Sequence, residues 1–184
     1  MVKRLRALPL IAAVALVLAA GASAAPNPCA SGNCTVTPPN AWAKVRPGLG
    51  TSTPLAYPRA TQGAVLRTVR LATQPEQPYD PTNDFGEPIT TCGGSEVRAT
   101  YRTPGGGKVG LIIGASENTS PGCGVGSVVG YRCATGHLPG VTGVVLTCRG
   151  PHGRRGLSWS GPSWGYWLDA PAGFPIAAMA QSTR

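Results

Sequence analysis

The sequence is poor in acidic and aromatic residues, with seven Asp and Glu and 6% aromatic side chains among 184 residues. It also lacks the motifs of the common enzyme classes. No glycine-rich loop opens a phosphate-binding helix, and no histidine or cysteine spacing matches a zinc site. Residues 161–165 have the letters of a serine nucleophile elbow, but a proline precedes Ser163 and both histidines lie upstream. We therefore expect no catalytic residues, no cofactor and no metal.

Histidines are scarce, and the carboxylates are concentrated in one segment. His137 and His152 each stand next to a glycine, and the sequence gives neither an acid–base partner. Five of the seven acidic residues lie between positions 76 and 96, in a segment interrupted by prolines. Its spacing does not match a calcium-binding EF-hand loop, and we interpret it as a solvated loop.

Long apolar runs are absent except at the N-terminus. Lys3, Arg4 and Arg6 precede an apolar stretch at 10–20, and the small residues 22–24 follow it. This three-part pattern is typical of a secretory signal peptide, and we expect residues 1–24 to be removed after Ala24. No later run approaches the ~18 residues of a membrane-spanning helix. We expect a secreted, extracellular protein without a membrane span after signal removal.

Glycine and proline are abundant, at 26 and 19 residues, and no segment has a sustained helical period. Such a chain forms a limited core, so disulfides are expected to stabilise it in an oxidising compartment. The candidate disulfide cysteines are Cys29, Cys34, Cys92, Cys123, Cys133 and Cys148. The sequence predicts a proline-rich arm or linker at 25–62 and a single β-rich domain at 63–184. The expected fold is mainly β, a small disulfide-stabilised antiparallel sandwich or barrel.

Two β-hairpins and further strands are predicted from alternating apolar residues. Residues 96–102 and 108–114 flank a Pro-Gly turn, and pairing about that turn places Val97 opposite Ile113 on an apolar face. A second hairpin is expected from 125–133 and 141–148. Centring it on residue 138 places Cys148 near Val128, so we do not expect Cys133 and Cys148 to pair. Strands are also predicted at 64–71, 163–169 and 174–180.

An aromatic and basic cluster near the C-terminus is the candidate ligand site. Flat aromatic rings provide apolar area with a polar group, which suits sugar faces and partner proteins. The same rings also suit core packing, and that alternative stays open at this point. Alternation over 163–169 places Trp167 opposite the other rings, and we expect it to be accessible. The candidate ligand-binding residues are Trp159, Trp164, Tyr166, Trp167, Arg154 and Arg155.

The chain is basic, with 16 Lys and Arg and a formal net charge of +9 that falls to +6 without residues 1–24. Its arginines are dispersed along the sequence and no lysine run occurs, so we expect no specific nucleic-acid partner. We expect a secreted, non-catalytic binding module for a polysaccharide, an acidic surface or an extracellular protein. An extracellular protease inhibitor with loops at 120–123 and 149–152, and a small secreted hydrolase, are the alternatives.

Overall fold

A computed structural model describes residues 26–30, 32–49, 54–74, 94–115, 130–141 and 143–184. Within these ranges the chain is mainly β, as predicted. The strands are β1 Cys34–Val36, β2 Val65–Gln74, β3 Gly94–Arg102, β4 Lys108–Ala115, β5 Arg132–Gly136, β6 Val145–Arg149, β7 Arg155–Ser160 and β8 Trp164–Ala170. The helices are α1 Ala41–Val45 and α2 Ile176–Gln181, with short 3₁₀ turns at Arg46–Leu49 and Pro151–Gly153.

The eight strands form one antiparallel sheet in the order β1-β2-β3-β4-β8-β7-β6-β5. Two four-stranded meanders therefore meet where β4 pairs with β8. The sheet is open, with β1 and β5 at its edges, so the sandwich or barrel is not confirmed. Because side chains alternate between faces, Val69, Leu111 and Leu168 lie on one side, which we call the core face. The opposite side is called the outer face.

The core face is covered by both helices and by the arm. Buried side chains on three central strands, such as Val97, Leu111 and Leu168, are at most 1% exposed. Each contributes roughly 1.5–3 kcal/mol by leaving water. Met179 and Ala180 of α2 are buried in the same cluster. Within the described ranges, no helix has the length and apolar character needed to cross a membrane.

The first predicted hairpin is confirmed residue by residue. In the pairing of β3 with β4, Val97 lies opposite Ile113, and Ala99 opposite Leu111. Tyr101 closes the series opposite Val109. The turn is held by Thr103, whose hydroxyl accepts a hydrogen bond from the Gly107 N–H over 2.9 Å. Alternation and turn chemistry favour the same register here, which is why the sequence predicted it.

The predicted register of the second hairpin is wrong. Cys133 lies directly opposite Cys148 in the pairing of β5 with β6, and the two form a disulfide with Cα atoms 4.0 Å apart. The connecting loop lies between Gly136 and Val145, so the hairpin is centred beyond residue 138. This loop buries Leu138, which is only 1% exposed, instead of presenting it at the tip of a turn. Residues 125–129 of the predicted first strand lie outside the described residues.

The proline-rich arm contains regular structure and docks on the sheet. Its strand β1 extends the sheet edge beside β2, and a disulfide joins Cys29 to Cys34. Trp42 stacks on Tyr57 with ring centroids 4.5 Å apart. Farther along the arm, Tyr57 and Arg184 exchange backbone hydrogen bonds of 3.2 and 3.4 Å. The arm is thus connected to the C-terminal residues.

The strand predicted at 174–180 is wrong, because helix α2 occupies most of it. The sequence of α2 is rich in alanine, which has the highest helix propensity, and Pro175 immediately precedes it. Met179 and Ala180, three and four residues after Ile176, share the face that packs on the sheet. Six residues are too few to display a recognisable helical period in sequence.

Candidate functional site

Three of the four predicted aromatic residues lie on the core face. Trp159 of β7 stacks on Tyr166 of β8, with centroids 4.8 Å apart and planes 8° from parallel. Trp164 donates its indole N–H to the carbonyl oxygen of Pro54 over 2.9 Å, which ties the arm to β8. All three are at most 6% exposed. Their burial corresponds to the core-packing alternative.

Trp167 is not accessible, which contradicts the prediction made from alternation. It does point to the outer face, but it is only 3% exposed. Tyr131 packs edge-on against it, with centroids 5.1 Å apart and planes at 89°. The ring also covers Gly156, where an added Cβ would overlap it. Tyr131, Gly156 and Trp167 therefore form a small second cluster on the outer face, which we call the outer cluster and which buries Trp167. The alternation of a single strand does not reveal such a cluster.

Arg154 is held by an ion pair beside this outer cluster. Its Nε donates to Asp169 Oδ2 over 2.9 Å, and Nη2 contacts the same oxygen. Nη2 also donates to the carbonyl oxygen of Lys108 over 3.1 Å. Burial lowers the pKa of Arg154, but hydrogen bonds to Asp169 and Tyr131 outweigh it and the net shift of its pKa is upward. These bonds join β8 to the start of β4, which gives Arg154 a structural role.

Arg155 has a different environment, because the sheet brings two more arginines beside it. Arg132 of β5 lies directly opposite Arg149 of β6, and Arg149 lies directly opposite Arg155 of β7. All three are exposed. We call Arg132, Arg149 and Arg155 the arginine row. By strand alternation it lies on the core face.

The arginine row concentrates positive charge at a cost in stability. Adjacent strands are about 4.8 Å apart, and like charges directly opposite each other repel. Only two acidic side chains, Glu96 and Asp169, lie within the described ranges, and each forms an ion pair elsewhere. None of the three guanidinium groups hydrogen-bonds another described residue. The neighbouring Cys133–Cys148 disulfide fixes β5 to β6 next to the repulsive pair.

The sequence did not reveal the row, because its members are separated along the chain and meet only through strand register. Arg132 and Arg149 were not among the predicted site residues. The two cysteines one position inward from them were the available signal, since pairing Cys133 with Cys148 brings Arg132 opposite Arg149.

A cavity of about 240 Å³ lies at the other end of β7, and we call it the end pocket. Trp159 and Tyr166 line it together with residues of the loops around 139–141 and 160–162 and of α2. Thr183 also lines it, and the buried hydroxyl of this residue has no hydrogen-bond partner among the described residues. None of the described residues that line it is charged.

The remaining sequence candidates are dispersed. His137 and His152 are both exposed, and His152 adopts a left-handed backbone conformation with φ of 54° in the turn between β6 and β7. Among the described residues, no three His, Cys, Asp or Glu side chains are grouped for a metal ion. Cys92, Cys123 and most of the acidic segment 76–96 lie outside the described residues.

The two surfaces that the fold assembles are thus the arginine row and the end pocket, both on the core face of β7. No protein-family model matches the chain, and searches of curated proteins and of solved structures found no significant similarity.

Proposed function

We propose that this chain is an exported binding module that attaches to an acidic polysaccharide through the arginine row. The observation that carries the proposal is the alignment of Arg132, Arg149 and Arg155 on three adjacent strands without a carboxylate partner among the described residues. An external anion in contact with the three arginines would offset the repulsion between them, so the destabilising arrangement favours anion binding. The two disulfides among the described residues and the predicted signal peptide support an extracellular setting.

The geometry of the row suits a linear polymer with repeated carboxylates. Guanidinium groups bind carboxylates through two parallel hydrogen bonds, so each arginine offers one specific contact. The strand spacing of about 4.8 Å is on the scale of one sugar unit. A polymer that crosses the strands therefore meets one arginine per strand.

The neighbours of the row favour a polysaccharide over a nucleic acid. Ala134 and Thr147, the next residues inward on the core face of β5 and β6, are exposed and small. Binding of single-stranded nucleic acid relies on aromatic side chains on which bases stack, and neither residue provides such a platform. Sugar carboxylates need no stacking, because their recognition depends on charge and hydrogen bonds.

The test is binding of the protein to polygalacturonate, with neutral dextran as the ligand control. We expect saturable binding to polygalacturonate and no binding to dextran. The affinity for polygalacturonate should fall as the NaCl concentration is raised, because the contacts are exposed ion pairs. The triple variant R132Q/R149Q/R155Q is expected to bind at least about tenfold more weakly, since it loses three charge-assisted contacts.

The matched control removes the same charge from the outer face. Arg70, Arg102 and Lys108 are exposed there, and R70Q/R102Q/K108Q has the same net charge as the row variant. We expect this control to retain wild-type affinity within about twofold. Equal losses in the two triple variants would mean that net charge alone attracts the polymer, and the proposal would be rejected.

A further inference from the structure

The arginine row borders a small exposed area of the core face, and buried residues limit this area on two sides. Ala170, which lies opposite Arg155 on β8, is 0% exposed, so a ligand that crosses β5, β6 and β7 cannot rest on β8 at this position. Leu157, two positions inward from Arg155, is also buried. On β6, in contrast, the residue two positions inward from the row is Thr147, and it is exposed. A ligand on the row can therefore reach inward over β6 but not over β7.

Thr147 supplies an uncharged hydrogen-bonding group in this exposed area. It lies directly opposite Ala134 of β5, which is also exposed. The hydroxyl of Thr147 donates to the carbonyl oxygen of Ala134 over 3.4 Å, which is longer than the roughly 2.5–3.0 Å of ordinary hydrogen bonds between hydroxyls and oxygen acceptors. The hydroxyl can therefore exchange this weak bond for a shorter one to a ligand.

The spacing between Arg149 and Thr147 suits one sugar unit. The two residues are two positions apart on the same face of β6, which corresponds to about 6.7 Å along the strand. A sugar acid within a linear polymer carries its carboxylate at one edge of the ring and free hydroxyls at the opposite edge. With the carboxylate on Arg149, the ring extends inward along β6 and brings these hydroxyls to Thr147.

We infer that Thr147 makes the arginine row specific for sugar acids, by hydrogen-bonding a ring hydroxyl of the unit whose carboxylate is bound by Arg149. This inference rests on the proposed function and narrows its ligand to polymers that carry a hydroxyl and a carboxylate in the same unit. The three arginines recognise only the charged groups, so they do not distinguish such a polymer from another polycarboxylate. Thr147 is thus a specificity-determining residue, and the arginines provide most of the affinity.

The test compares two polycarboxylates at one NaCl concentration: polygalacturonate, which carries hydroxyls, and polyacrylate, which has none. Thr147→Val keeps the shape of the side chain and removes its hydroxyl. We expect this variant to bind polygalacturonate about fivefold more weakly, the effect of one lost hydrogen bond, and to bind polyacrylate as wild type does. Thr147→Ser retains a hydroxyl and is expected to bind both polymers with wild-type affinity within about twofold.

Thr135→Val is the matched control, because Thr135 is an exposed threonine on the outer face of β5. It is expected to leave both affinities unchanged. If Thr147→Val binds polygalacturonate as tightly as wild type, or weakens the binding of both polymers equally, the inference is wrong. Loss of polygalacturonate binding by R132Q/R149Q/R155Q in the same assay then shows that the proposed function stands. If that triple variant retains polygalacturonate, the proposed function fails, whatever the result at Thr147.

Discussion

Arg132 and Arg149 lie directly opposite each other on β5 and β6, one position from the disulfide that joins Cys133 to Cys148. Two positively charged side chains therefore lie on adjacent strands, directly beside the disulfide that links those strands. The disulfide holds the strands together against the repulsion, so the charge arrangement that we assign to binding is compatible with a stable sheet edge.

Neutralising the middle arginine should stabilise the protein. Arg149→Gln removes the repulsion with both Arg132 and Arg155, and we expect the free energy of unfolding to rise by about 0.5–1 kcal/mol at low salt. The gain should disappear in high salt, because exposed charges are screened. Urea unfolding of wild type and variant at two NaCl concentrations measures it. Arg46→Gln, at an exposed site outside the sheet, is the control and should show no such gain.

Removing the Cys133–Cys148 bridge should destabilise the protein. The two cysteines are 15 residues apart, and loss of such a closed loop costs about 3 kcal/mol. We expect the double variant C133A/C148A to lose this amount in urea unfolding, and to lose more at low salt than at high salt.

Two comparisons show whether the disulfide opposes the charge repulsion. C29A/C34A opens a loop with a separation of only five residues, so its loss should be smaller, about 2 kcal/mol, and independent of salt. Adding Arg149→Gln to C133A/C148A should restore part of the stability. Identical salt responses in the two double cysteine variants would contradict the coupling.

Gly156→Ala should disrupt the outer cluster. A Cβ at this position overlaps the Trp167 ring, so the ring or the strand must move, at a cost of about 1–3 kcal/mol. Thermal unfolding and the near-ultraviolet circular dichroism of the tryptophans measure the change. Gly105→Ala is the matched control, because no atom lies within 4 Å of an added Cβ there and stability should be unchanged. Equal stability of the two variants would contradict the packing of Trp167 on β7.

Alkaline pH should destabilise the fold through its buried tyrosines. Burial raises the pKa of Tyr166 to about 12 and raises the pKa of Tyr101 as well, whereas an unfolded tyrosine ionises near pH 10. Between about pH 10 and 12 the unfolded state therefore binds fewer protons than the folded state, so the free energy of unfolding falls as pH rises. Urea midpoints between pH 8 and about 11.5 measure this slope.

The variant Tyr101→Phe separates the contribution of Tyr101 to the alkaline loss of stability from that of Tyr166. The Tyr101 hydroxyl is buried without a partner among the described residues, so its removal should leave stability unchanged or raise it by about 1 kcal/mol at neutral pH. The variant should also have a shallower alkaline slope than wild type. A loss of stability at neutral pH would show that the hydroxyl makes a hydrogen bond.

The β3–β4 hairpin could be predicted because its information is local. Val97, Ala99 and Tyr101 alternate up to a Pro-Gly turn, and only one register buries them opposite Val109, Leu111 and Ile113. The β5–β6 register could not be predicted, since the loop between Gly136 and Val145 buries Leu138 in the core of the whole fold and local alternation does not fix its centre. Helix α2 was missed because it is a single short amphipathic segment. It packs on the sheet, and the sequence around it does not show that surface.

The candidate site was predictable only in part. Trp159, Tyr166 and Arg155 are predicted site residues that lie beside the end pocket or in the arginine row, and their role in ligand binding stays a prediction. Trp167 and Arg154 have structural partners that alternation and charge do not indicate. The row depends on the pairing of β5, β6 and β7, which local sequence patterns do not specify.

The most direct measurement of the central proposal is NMR observation of the arginine side-chain Nε–H signals during titration with polygalacturonate. We predict that the signals of Arg132, Arg149 and Arg155 shift saturably at polymer concentrations that leave those of Arg46 and Arg184 unchanged. Shifts of similar size across all exposed arginines, including Arg46 and Arg184, would contradict a binding role for the arginine row.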